Sequence, residues 1–189
     1  WEPRLVENTT AVEPPHDEKY HLSEDMAVRG IDWLRKHRSF APDKPFFMYW
    51  APGAAHGPHH IFPEWADKYK GKFDQGWDKV REESSARQKA LGVIPPDAGL
   101  TPRPKEIPAW NDMPDALKPI LARQMEVYAG FMEHIDHHVG RLLDTLQELE
   151  ILEDTLVYYI IGDNGASAEG TLNGIFNELL MFNGAGALE

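Results

Sequence analysis

Thr155-Leu156-Val157-Tyr158-Tyr159-Ile160-Ile161-Gly162-Asp163-Asn164-Gly165 is the stretch on which the reading of this chain turns. An apolar run of this length, stopped by glycine, reads as a buried strand. The stop delivers a carboxylate and an amide side by side at the strand end, where ligand sites of open α/β sheets lie. Both side chains offer oxygen, and paired oxygen donors suit a hard divalent cation such as Ca²⁺ or Mg²⁺ far better than Zn²⁺. Asp-Asn-Gly is equally good turn chemistry, because Asn and Gly tolerate positive φ. The three residues alone therefore leave a metal site and a plain turn both open.

About a hundred residues earlier, Lys44-Pro45-Phe46-Phe47-Met48-Tyr49-Trp50-Ala51-Pro52-Gly53-Ala54-Ala55-His56-Gly57-Pro58-His59-His60 has the same design. Phe46 to Trp50 reads as a second buried strand. Small residues and prolines then break it and leave His56 on irregular backbone beyond its C-terminal end. If the two strands are parallel neighbours, both loops open on one edge of the sheet, and His56 faces a metal held by Asp163 and Asn164.

The segment from Lys44 to His60, with Glu64-Trp65 and Lys68-Tyr69-Lys70-Gly71-Lys72-Phe73-Asp74-Gln75-Gly76-Trp77-Asp78, resembles the middle of a bacterial arylsulfatase. Met125-Glu126-Val127-Tyr128-Ala129-Gly130, Asp136 with Val139-Gly140-Arg141-Leu142, Asp154-Thr155-Leu156-Val157 and Asp163 to Gly170 follow in that family's order. Nearly the whole chain is covered. The resemblance implies an α/β fold: part of an alkaline-phosphatase-like sandwich, its mostly parallel sheet flanked by helices. It implies hydrolysis of a sulfate ester, with Asp163 and Asn164 as two ligands of one Ca²⁺ and His56 as the active-site histidine that contacts the ester.

Such enzymes also use an Asp-Asp pair and a Cys- or Ser-x-Pro-x-Arg motif whose first residue becomes formylglycine, together with further Lys and His side chains. This chain has no Cys, and none of Ser23, Ser39, Ser84, Ser85 or Ser167 begins such a motif. Residues 1–189 therefore read as an internal segment of a single catalytic domain, with the nucleophile region and C-terminal part absent and the calcium site incomplete. Two other readings stand beside this one. A phosphodiesterase or phosphonate hydrolase of the same superfamily would share the architecture, although its dinuclear members usually have Asp-His where this chain has Asp163-Asn164. A non-catalytic sulfatase-like fragment would keep the fold without turnover.

Composition narrows the partners. With 42% hydrophobic residues and no apolar run near the ~18 needed to cross a bilayer, no membrane span is expected. A net charge of −12 argues against a nucleic-acid surface, which needs clustered Lys and Arg. The expected partner is a small-molecule or carbohydrate sulfate ester. Local cations would have to overcome the overall negative field to bind it. Localisation stays open between periplasm, extracellular space and cytoplasm, since an internal segment carries no signal peptide to read.

The rest of the pattern is structural. Trp1 to Lys19 reads as an extended approach. A helix follows to about His37, capped by Ser23 and anchored by Met26, Ile31, Trp33 and Leu34. Asp67 to Gly92 is helical in parts, with Trp65, Tyr69, Phe73 and Trp77 as packing anchors or pocket lining. The proline-rich Val93 to Pro114 forms a long loop. Apolar residues at Met125, Ala129, Met132, Ile135, Val139, Leu142, Leu146 and Leu149 predict a long amphipathic helix over Asp115 to Leu149.

Within it, His134 and His138 are four apart and could hold a transition metal. A zincin-type site would also need a Glu directly after the first His and a third ligand, so a polar helix face is the expectation. Asp136, among the apolar positions, is expected to be buried with a hydrogen-bond partner. His59 and His60 read as supporting or surface residues. With two main strands and a weaker third at Leu179 to Phe182, an isolated chain would expose strand edges and self-associate.

Overall fold

The computed structural model describes residues 4–53 and 55–162. They fall into two compact units, residues 4–53 with 135–162, and residues 55–134.

The first unit opens with a hairpin, β1 (Leu5–Glu7) and β2 (Thr10–Val12), antiparallel with Leu5 opposite Val12 and Glu7 opposite Thr10. Asn8, at φ 57°, makes the turn, a conformation Asn tolerates better than most side chains. Part of the expected extended approach is thus paired. Helix α1 (Leu22–Phe40) follows as expected, but its cap is His21: the ring Nδ1 accepts the Ser23 N–H at 3.2 Å. Ser23 lies inside the helix and is buried with Ala27, Ile31 and Leu34, at steps of four, four and three that make one face. Trp33 is half exposed and stacks on His37, with Phe46 against both rings.

Ile31 and Leu34 form the core of this unit with Leu142 and Leu146, and Phe46, Met48, Trp50, Leu149, Ile151 and Leu152 pack around them. Each fully buried Leu or Ile contributes about 1.5–3 kcal/mol relative to exposure. The exposed Arg35–Glu148 pair at 2.9 Å adds at most about 1 kcal/mol, so apolar burial holds this unit together.

In the second unit, α2 (Pro63–Ala66) starts on a proline whose missing N–H would have had no partner in the first turn anyway. A 3₁₀ turn (Asp67–Tyr69) leads on toward α3 (Gly76–Ala90). The proline-rich loop is strapped to α3. Trp110 is buried over Gly76, where φ is +78° and any Cβ would stand 2.1 Å from the indole. The Trp110 backbone N–H donates to Asp78 at 2.8 Å, and the Trp77 indole N–H donates to the Pro108 carbonyl at 3.0 Å.

Helix α4 (Lys118–Glu148) supplies residues to both units in turn. Its end is a Schellman motif: Ile151 N–H bonds the Leu146 carbonyl and Glu150 N–H the Gln147 carbonyl, with Glu150 at φ 56°. Helix α3 ends the same way, but with Gly92 in the left-handed position. The apolar face expected for α4 is correct in its C-terminal half and misplaced in the rest. Met125 and Met132 are partly exposed, while Ala122, Glu126, Phe131, His134 and His138 are buried.

The expected parallel sheet is not found among the described residues, whose one sheet is the β1–β2 hairpin. Phe46 to Trp50 nevertheless alternates as a strand does. Phe46, Met48 and Trp50 face the core, while Phe47 and Tyr49 are 87% and 80% exposed. Leu156, Tyr158 and Ile160 are likewise 77%, 76% and 85% exposed, and Val157 and Tyr159 less so. The physical reason for the missing ladder is that strand partners for these two segments do not occur among the described residues. The third expected strand, Leu179 to Phe182, lies outside them.

Two outcomes follow. A Cβ at Gly130 would come within 2.7 Å of the Trp65 and Ala66 backbone, whereas one at Gly140, in the same helix, meets nothing within 4 Å. Gly130→Ala should therefore cost about 1–3 kcal/mol by overpacking. Gly140→Ala should gain about 0.5–1 kcal/mol from helix propensity, and urea melts of the two variants separate them. The isolated 189-residue chain should sediment above monomer mass because of its bare alternating rows. Tyr158→Lys with Ile160→Lys should move it toward monomer; a monomeric, cooperatively melting parent chain would contradict this.

Candidate functional site

His56 stands on the loop that begins after Trp50, where Ala51-Pro52-Gly53 ends the alternating segment. The side chain is exposed, and its Nδ1 lies 2.7 Å from the Gly57 carbonyl oxygen. A carbonyl only accepts, so Nδ1 carries the proton, and in the neutral ring Nε2 is the lone-pair nitrogen.

Downstream, this loop is fastened to α4. His59 Nε2 is 3.2 Å from the Ala55 carbonyl, and its ring meets Tyr128 edge-on at 5.2 Å and Phe131 at 6.2 Å. Trp65 packs edge-on against His134 at 5.1 Å, and the Trp65–Ala66 backbone lies over Gly130. Tyr128, Gly130, Phe131 and His134 fall within two turns of α4, so one short stretch of the helix carries these contacts.

Buried charge pins the same region. Glu126 accepts the Gly71 N–H at 2.7 Å and Arg123 at 2.8 Å, and Arg123 also reaches Asp67 at 2.7 Å. Burial pushes the Glu126 carboxyl up, but the bonds from Arg123 and Gly71 outweigh it and leave it below the usual carboxylate value. Gly71, at φ +76°, lets the Lys70-Gly71-Lys72 turn aim its N–H inward. Lys68 binds Glu133 at 2.8 Å while lying 3.7 Å from the centroid of the Trp65 ring. The aromatic anchors act in packing: Tyr69 stacks on Phe73, and Trp77 meets Trp110 edge-on. Sequence reasoning assigned no role to Glu126. The signal for it was its place beside the apolar stripe, four residues after the buried Ala122.

The His134–His138 segment corrects two expectations. Both histidines are buried, at 2% and 3% exposure, and do not form a polar face. Arg141 donates to His138 Nδ1 at 3.0 Å, so the neutral ring carries its proton on Nε2. Burial first, and the Arg141 charge second, push His138 down to about 4. Asp136, expected to be buried, is exposed and accepts a long hydrogen bond from Tyr159 at 3.5 Å. Tyr159 is itself raised, by burial and then by the Asp136 charge.

Because His138 binds its proton more weakly folded than unfolded, it leaves stability untouched above about pH 6.5 and lowers it as pH falls from there toward 4. Its C2–H resonance should stay fixed between pH 8 and about 5. His138→Gln should flatten the acid limb of the stability profile, measured by urea melts across that range.

Asp163 and Asn164 lie outside the described residues, which end at Gly162. The geometry on hand for the expected constellation is therefore that of the His56 loop. The sulfatase family model matches residues 2–185. An uncharacterized sulfatase of Schizosaccharomyces pombe is 30% identical over 167 residues, 87% of this chain and 29% of that protein. An arylsulfatase of Klebsiella aerogenes is 30% identical over 148 residues, 78% of this chain and 31% of that protein. The chain thus spans about three-tenths of the length of the curated relatives it matches. The sulfatase family has an alkaline-phosphatase-like α/β fold and is generally metal-dependent. The chain belongs to the sulfatase family.

Proposed function

We propose that this chain is the middle part of a sulfuric ester hydrolase domain, built on a mostly parallel sheet, in which His56 contacts the sulfate ester and Asp163 and Asn164 bind one Ca²⁺. The observation that carries the reading is the family match over residues 2–185, which includes the His56 loop and Asp163-Asn164. His56 adds a physical argument. The Gly57 carbonyl holds the proton on Nδ1, so Nε2 is the nitrogen that meets the ester. As imidazolium it donates to an ester oxygen and can pass its proton to the departing alcohol or phenol; as neutral imidazole it accepts. The exposed position of the loop suits a group that must reach a substrate.

The donor chemistry of Asp163 and Asn164 fits the ion: one carboxylate and one amide oxygen are hard ligands, and a partial set for a cation that takes six to eight. When bound, such an ion neutralises charge on the ester oxygens. The nucleophile is supplied from outside these residues, because the chain contains neither Cys nor a Ser-x-Pro-x-Arg motif.

The test is kinetic and uses the full-length enzyme with an aryl sulfate. His56→Ala should lower kcat by about 10²–10⁴-fold. Asp163→Ala or Asn164→Ala should weaken Ca²⁺ binding, read by calorimetry, together with activity. Unchanged calcium affinity in both variants, or turnover of phosphodiesters in place of sulfate esters, would overturn the assignment.

A further inference from the structure

We propose that His59 is a positioning residue for His56, an inference that rests on His56 acting at the ester. Two carbonyls flank the arrangement. The Gly57 carbonyl takes the His56 Nδ1 proton at 2.7 Å, and the Ala55 carbonyl, on the peptide directly before His56, takes the His59 Nε2 proton at 3.2 Å. His59 therefore reaches back across four residues and closes the loop around His56. This bond requires the proton on His59 Nε2, the tautomer opposite to that of His56.

The ring of His59 is in turn seated on α4, edge-on to Tyr128 at 5.2 Å and 6.2 Å from Phe131. Phe131 is buried, and the neighbouring Gly130 is pressed against the Trp65–Ala66 backbone, so the seat belongs to the packed part of the helix. The chain of restraint runs from packed helix to aromatic seat, then to the His59 ring, the Ala55 carbonyl and the His56 backbone. Without His59, the loop keeps its anchor at Trp65 and Ala66, nine residues beyond His56, and loses the one at its own base. A reacting group misplaced by an ångström loses up to about 10²-fold in rate even when its own chemistry is intact.

The experiment compares His59→Ala, His59→Gln and His56→Ala in the full-length enzyme, with an aryl sulfate as substrate and ¹⁵N-labelled histidine as probe. His59→Ala should lower kcat about 10–100-fold with KM changed by less than about two-fold. His59→Gln, whose amide N–H can still donate to the Ala55 carbonyl, should recover most of the loss. The ¹⁵N shifts of His56 should show the Nδ1–H tautomer in the parent and the Gln variant and a tautomer mixture in the Ala variant. Wild-type kcat in His59→Ala, equal losses in Ala and Gln, or an unchanged His56 tautomer in the Ala variant would overturn the positioning role. Full activity in His56→Ala would sink the reading of His56 itself, a result distinct from any failure at His59.

Discussion

A polar group placed on the buried side of a helix must bring its partner with it, and in this chain that constraint shapes the neighbourhood of the candidate site. Glu126 sits among the core positions of α4 at 5% exposure. A carboxylate buried without donors would cost several kcal/mol. The Gly71 N–H and Arg123 supply them, and Arg123 then draws in Asp67. The requirement of one carboxylate thereby fixes the turn after Tyr69 and the 3₁₀ segment before it. Trp65 and Ala66, just upstream, lie flat on Gly130, where the missing side chain permits backbone contact. The loop bearing His56 is the next stretch back along the chain.

This constraint also explains which parts of the structure were legible in the residues. Helix α4 was found from its apolar period, because 3.6-residue spacing survives substitution at single positions. Its face was misjudged over Met125 to Met132 because Glu126, His134 and His138 look solvent-exposed to any pattern that counts only apolar side chains. Glu126 takes one donor from the distant Gly71 and His134 packs against the distant Trp65, and no local period encodes those contacts. His21 capping α1 in place of Ser23 is the same kind of miss. A ring nitrogen can cap as a hydroxyl does, and the choice rests on the backbone entering the helix. The His56 loop was visible as a break after an apolar run, but its bracing by His59 was not, since the contact with Tyr128 spans 69 positions.

The strand segments show a different limit. Phe46 to Trp50 has the alternation of a strand that covers a helix layer with one face, and the core cluster shows that face in use. The opposite row, Phe47 and Tyr49, has the composition of a second buried face. Residues of this kind on both sides of one strand match a sheet covered on both faces, which is the arrangement of α/β folds. Family membership makes the same statement from another direction. The described residues supply the covering layer for one face, so the sequence pattern carries more of the fold than the contacts alone do.

The two histidine clusters in this chain, alike as letters, differ in physical state. His134 and His138 are enclosed by the helix packing, and burial with a neighbouring guanidinium holds His138 neutral, with its titration moved down to about 4. A histidine in that state is part of the interior and contributes shape. His56 and His59 lie on exposed backbone, each tied to a main-chain carbonyl through a different ring nitrogen. Hydrogen bonding there fixes which nitrogen carries the proton while leaving the ring at the surface. That combination of a set tautomer and an accessible position is what proton transfer to a substrate oxygen requires, and the buried pair does not have it.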